Sequence, residues 1–166
     1  MVKVLLYKGN VAYAKIRNNI ENVEKYASLC VYGVKHLSYL ARVFTMKMNY
    51  FVFGTNNMEQ AVAYYDELFD GSGLNKIHGQ GRMTLWGNES FMFAVAEPFD
   101  ENPASNGNGT MLGFHVDSIE EVNRLHKKAL DLGGMSEGEP RIRSNMHSAY
   151  VRDLDSNKIC FYTSNA

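Results

Sequence analysis

"MLGFHVDSIEEVNRLHKKALDLGG" (Met111–Gly134) reads as a short strand that runs directly into a helix. The polar pair Asp117-Ser118 stands at the junction, where side-chain oxygens accept hydrogen bonds from the first free helix N–H groups. Apolar residues then recur at Ile119, Val122, Leu125, Ala129 and Leu132, the three-and-four spacing of a helix with one buried face. Gly133-Gly134 stops it. Within the strand stands His115, which carries chemistry if it faces a cavity and is filler if it faces a packed sheet.

The unit occurs twice. Sliding the chain by 61 residues places "YFVFGTNNMEQAVAYYDELF" (Tyr50–Phe69) on Met111–Leu130, with Phe53 on Phe114, Met58 on Ile119, Ala61 on Val122 and Leu68 on Ala129. Asn56-Asn57 takes the capping place, and Gly71 and Gly73 end the first helix. After each helix comes hairpin-like sequence: "GRMTLWGNESFMFAVAEP" turns at Gly87-Asn88, and "HSAYVRDLDSNKICFYT" turns at Asp155-Ser156-Asn157. Aligning Asn88 with Asn157 needs a shift of 69, so the second copy has gained about eight residues, read as a loop around "EGEPRIRSN". Each half is β-α-β-β with room for one further strand before the hairpin. The stretch "EPFDENPASNGNGT" reads as the connection between halves.

Composition bounds the function classes. At 166 residues, 45% hydrophobic and 21% charged, the chain suits one globular domain with a real core. Cys30 and Cys160 form no CxxC and no zinc-type spacing, so neither a disulfide framework nor a structural metal site is expected. With no apolar run near 18 residues and no secretory core, the reading is a cytoplasmic protein that binds no membrane. Residues 1–47 hold eight basic residues against two acidic, while the remaining 119 hold nine basic and sixteen acidic. This basic N-terminal extension reads as non-native or disordered, with Met46 or Met48 the natural start and a short helix near "RNNIENVEKYASL". Its lysines and arginines are scattered, so no nucleic acid is expected as partner.

The duplicated order, with "GFHVDSIEEVNRLHKKALDLGG" and "AYVRDLDSNKIC", resembles the vicinal oxygen chelate superfamily of glyoxalases, bleomycin-resistance proteins and extradiol dioxygenases. The resemblance covers roughly Met48 to Tyr162. It implies an α+β fold: two βαβββ modules forming a cupped mixed sheet with a concave ligand cleft. Module one spans about 48–99, a linker about 100–109 and module two about 110–164, within a 48–166 domain. The "DLDSN" turn is similar to the family's Asp-Pro-Asp-Gly-Asn, with Leu154 for proline and Ser156 for glycine. Ser156 is strained if the backbone there needs positive φ.

The resemblance also implies where metal-dependent members place His or Glu ligands. Carried over, the four positions fall on Tyr50, Phe91, Met111 and Cys160, a poor set for a divalent cation. No metal site and no cofactor are therefore expected. Strand alternation puts His115 and Gly113 with Met111, Val52 and Gly54 with Tyr50, Phe93 and Val95 with Phe91, and Lys158 and Tyr162 with Cys160. Tyr50, Phe91, Phe93, Met111, Cys160 and Tyr162 are the ligand-binding candidates, and His115 is the candidate catalytic base or a rim histidine. Pairing Val151 with Cys160 points Tyr150 and Arg152 outward. Arg141, Arg143 and His147 either close over an anionic ligand or form a solvated basic loop.

The expected function is binding of a small, partly aromatic or apolar organic molecule, as a metal-independent lyase or isomerase or as a non-catalytic sequestering protein of the bleomycin-resistance kind. A metal-dependent lyase or dioxygenase with atypical ligands, such as Glu97, His115 and Cys160, is a further alternative. A homodimer is what the resemblance implies for assembly.

Overall fold

The computed structural model describes residues 2–3, 15–16 and 48–164. Two units divide the chain, Met1–Thr45 and Met46–Ala166. In the first, β1 (Val2–Lys3) pairs antiparallel with β2 (Lys15–Ile16). The remainder of the basic extension, the helix expected near "RNNIENVEKYASL", Cys30 and the start at Met46 lie outside the described residues.

The second unit contains the repeat. Its first module is β3 (Tyr50–Gly54), α1 (Met58–Phe69), β4 (Asn75–Gln80), β5 (Met83–Gly87) and β6 (Met92–Ala96). The second is β7 (Leu112–His115), α2 (Ile119–Asp131), β8 (Met135–Arg143), β9 (Met146–Arg152) and β10 (Lys158–Thr163). The sheets have matching orders, β3-β6-β5-β4 and β7-β10-β9-β8, with the first strand of each module parallel to its last. This is the α+β architecture of two βαβββ modules, with β4 and β8 as the further strands.

Local chemistry explains the boundaries. The Asn57 side chain accepts from the Gln60 amide at 3.1 Å, and Ser118 Oγ accepts from the Glu121 amide at 3.2 Å, so each polar junction caps its helix. Alternation then fixes the faces. Phe53, Trp86, Phe93, Val95, Ala149, Val151, Ile159 and Phe161 point toward the helices and join Tyr65, Leu68, Phe69, Val122 and Leu125 in one core. The Phe114 ring lies 5.6 Å from Phe69 and 6.1 Å from Phe93, so the core is continuous across both modules.

The "EGEPRIRSN" stretch is not the expected loop. It is the end of β8 and its turn, with Arg141 opposite Ser148, Ile142 opposite His147 and Arg143 opposite Met146. Register shifts between Ser136 and Gly138 and between Gly138 and Arg141 absorb the extra residues. β8 is an edge strand, and Pro140 falls in the second shift, where no ladder N–H is needed.

Candidate functional site

The site is built on the sheet faces turned away from the helices. On β3, Phe51 and Phe53 pack into the core, leaving Tyr50 (41% exposed) and Val52 on the other face. On β7, Leu112 and Phe114 pack inward, leaving Met111 (44% exposed), Gly113 and His115. On β10, Ile159 and Phe161 are core, so Lys158, Cys160 and Tyr162 share the helix-free face. The pairings of Cys160 with Gly113 and of Tyr162 with His115 bring these residues together. The His115 and Tyr162 rings meet edge to face at 5.3 Å. A Cβ on Gly113 would lie 3.3 Å from the Tyr162 ring, so glycine there leaves room for the tyrosine.

β6 departs from the expected parity. Phe93 (0% exposed) stacks among Phe53, Tyr65 and Phe69, Val95 lies in the same core, and Phe91 packs against it. None of the three belongs to the helix-free face. The Asn88 side chain accepts from the amides of Ser90 and Phe91, so the turn consumes Phe91 and the strand begins at Met92. Met92 and Ala94, paired with Tyr50 and Val52, take the face instead.

β9 gives the second correction. Cys160 pairs with Tyr150, and Val151 pairs with Ile159 in the core. Tyr150, Arg152 and Ser148 therefore lie on the same face as Cys160. The turn sets this register: the Asp153 amide donates to Asn157 O at 3.0 Å, and Asp153 Oδ1 accepts from the amides of Asp155 and Asn157. Five residues are enclosed between Arg152 and Lys158.

Arg143 reaches this face from β8. Its guanidinium lies 4.8 Å from the Tyr150 ring centre, and the Lys158 ammonium lies 5.2 Å from the same centre. Arg143 Nη1 donates to Ser148 O and Oγ, and Nη2 donates to Glu139 O at 3.1 Å. Glu137 accepts an ion pair from Arg152 at 2.8 Å and from Lys158 at 3.2 Å. His147 does not join the face: its Nε2 lies 3.2 Å from Asn123 Oδ1 on α2. Burial pushes the Cys160 thiol above its usual range, outweighing the Tyr150 hydrogen bond and the charges of Arg143 and Lys158.

A divalent metal does not fit this donor set. With β6 in its observed register, the residue facing Val52 is Ala94, as Cys160 faces Gly113 in the second module. The four strand positions are then Tyr50, Ala94, Met111 and Cys160: a phenol, a methyl, a thioether and a buried thiol. Among the described residues no three of His, Cys, Asp and Glu cluster to hold a metal ion, and Glu97, His115 and Cys160 form no such group.

Two recesses are formed here, one of which reaches this face. The first, about 540 Å³, is bounded by Thr55, Arg82, Glu97, Phe99 and Pro103. The second, about 510 Å³, lies where the modules meet, between Phe51, Phe91, Leu112, Phe114 and Phe161, and Met111, Gly113 and His115 of the helix-free face also line it. The helix-free face is open at Tyr50 and Met111, while Ala94, Ser148 and Cys160 on it are buried beneath neighbouring side chains.

Paired βαβββ modules presenting an aromatic and basic helix-free face define a class of small α+β protein built by duplication. The sequence model of the Glyoxalase/Bleomycin resistance protein/Dioxygenase superfamily matches residues 47–161, and the chain belongs to that superfamily. A glyoxalase/bleomycin resistance protein from Albidiferax ferrireducens T118 is similar at 29% identity and a TM-score of 0.67, over 70% of this chain and 97% of that one. A glyoxalase/bleomycin resistance protein/dioxygenase family enzyme from Burkholderia phytofirmans PsJN shares the fold at 16% identity and a TM-score of 0.61, over 72% and 99%. A lactoylglutathione lyase from Agrobacterium tumefaciens shares it at 18% identity and 0.55, over 72% and 94%. Among the described residues no helix is long and apolar enough to cross a membrane.

Proposed function

We propose that the helix-free face binds a small organic molecule with a flat or apolar body, without a metal, and that a homodimer covers it. The observation that supports this most is the lining. Met111 is an exposed apolar side chain on the same sheet face as the polar tips of His115, Tyr150 and Tyr162, and Tyr50 and Val52 are exposed on the corresponding face of module one. Such a mixture suits an organic ligand, with the apolar part giving affinity and the few polar groups giving orientation. An apolar surface left open in one protomer favours a second copy over it.

Turnover is a second reading, supported by the placement of His115. Its ring is exposed and held at the edge of Tyr162, open to a ligand lying over that pair. In that role it moves a proton on or off the ligand while Tyr50 or Tyr162 orients it. Without turnover the same face sequesters its ligand.

Amide NMR with neutral aromatic fragments, together with sedimentation at micromolar protein, tests both parts. Shifts confined to β3, β7, β9 and β10 of a dimer are expected. Shifts around Phe69, Leu74 and Phe91 instead would move the site to the recess between modules, and a monomer that binds fully would remove the dimer. For an identified ligand, His115→Gln separates the readings: lost turnover with retained binding marks an enzyme.

A further inference from the structure

We infer that the ligand of this face carries an oxyanion, and that Arg143 and Lys158 receive it beside Tyr150. The inference rests on the small-molecule reading and specifies its chemistry.

Arg143, Arg152 and Lys158 share the helix-free face of the second module, and Glu137 is the carboxylate that pairs with two of them. Arg143 has no ion-pair partner among the described residues; its hydrogen bonds go to the carbonyls of Glu139, Arg141 and Ser148 and to the Ser148 hydroxyl. Those oxygens orient the guanidinium and neutralise none of its charge. Three cations against one carboxylate leave a local positive excess, and Arg141 adds to it from the edge, opposite Ser148.

The cations are also held in place. Arg143 and Lys158 both lie over one tyrosine ring, and the side chains of Lys158 and Arg152 are only 28% and 21% exposed. An anion arriving there meets donors that lose little freedom on binding and are incompletely screened by water. The backbone accommodates this arrangement: a Cβ on Gly138 would lie 2.9 Å from the Tyr150 ring and 3.0 Å from Arg143 Nη2. Only glycine allows the strand to approach the stack so closely. On the same module, Met111 and Tyr162 supply apolar and aromatic surface beside β7 and on β10. A ligand with an anionic head at Arg143 and Lys158 and an apolar body toward Tyr162 and Met111 uses both.

Three probes of one shape test this on the full-length protein by titration calorimetry: 2-naphthoate, 2-naphthyl phosphate and the neutral 2-naphthamide. Both anions are expected to bind about ten-fold or more tightly than the amide at low salt, and to lose that advantage as sodium chloride rises. Lys158→Gln and Arg143→Gln should each reduce the anion preference by about three-fold or more while leaving naphthamide affinity within about two-fold. Lys158→Gln decides the matter should Arg143→Gln unfold β8. Which anion binds more tightly tells a carboxylate site from a phosphate site, and either order supports the inference. Equal affinity for anions and amide would overturn it while leaving the small-molecule reading intact. Failure of all three probes to bind would overturn both.

Discussion

Ser156 adopts φ 65°, the left-handed conformation that the "DLDSN" turn demands where glycine is usual in the family. The strain anticipated from the sequence is therefore present, since a Cβ in this region crowds the following carbonyl. The main-chain bonds of Ser156, to Asp153 O and from Arg152 Nη1, survive substitution. Ser156→Gly should raise stability by about 0.5–1 kcal/mol, measured by urea unfolding. A loss would mean that the added freedom of glycine in the unfolded chain outweighs the relief. Residue parity was legible wherever a strand began where the pattern said it did. Tyr50, Met111, His115, Cys160 and Tyr162 lie on the expected face because β3, β7 and β10 start on schedule. Phe91 and Phe93 do not, because counting three residues from each turn asparagine assumes turns of equal length. Asn88 holds Ser90 and Phe91 in its turn, whereas the strand after Asn157 starts at once with Lys158.

Between elements, one turn joins the modules. Tyr65 on α1 donates to Asp153 Oδ2 at 2.6 Å, Thr55 Oγ1 donates to Asp155 Oδ2 at 2.6 Å, and Asn157 Nδ2 donates to Gly54 O at 3.0 Å. The β9–β10 turn of module two thereby grips the β3–α1 junction of module one and sets the sheets that carry Tyr50 and Cys160. Burial raises the Asp153 carboxyl above its usual range, against hydrogen bonds from Tyr65 and Asn157 that pull it down. Removing the Tyr65 hydroxyl takes a donor from a buried carboxylate, so Tyr65→Phe should cost about 1.5–3 kcal/mol in chemical denaturation. A change below about 0.5 kcal/mol would mean that the remaining donors from Asp155 and Asn157 suffice. The sequence identified this turn by its motif. Its grip on the other module was not visible, because the partners lie about a hundred positions away along the chain.

For the molecule as a whole, His126 links stability to pH. It is a buried residue of α2 with its Nε2 3.2 Å from Ser136 Oγ, and burial lowers its pKa from 6.5, with the Glu139 charge opposing. A histidine whose folded pKa is depressed favours the folded state while neutral, so its contribution is present above pH 6.5 and is lost as pH falls through the folded value. The melting temperature should therefore fall between about pH 7 and 5 by more in the wild type than in His126→Gln, with parallel profiles refuting the assignment. The burial of His126 is not legible in the sequence, where it stands on a helix beside Lys127-Lys128, because burial depends on what packs over the helix.

The sequence by itself determined the duplication, the element order, the capped helices and the superfamily, since each rests on local spacing that repeats. Only the tertiary structure decided which side chains share the helix-free face. It turned Phe91 and Phe93 into core, brought Tyr150 and Arg152 onto the face, and made β8 from a stretch read as loop. The physical reason is that a strand exchanges its two faces with a slip of one residue. Turn length, bulges and cross-strand hydrogen bonds set that residue, and they are properties of the paired strands rather than of either one alone.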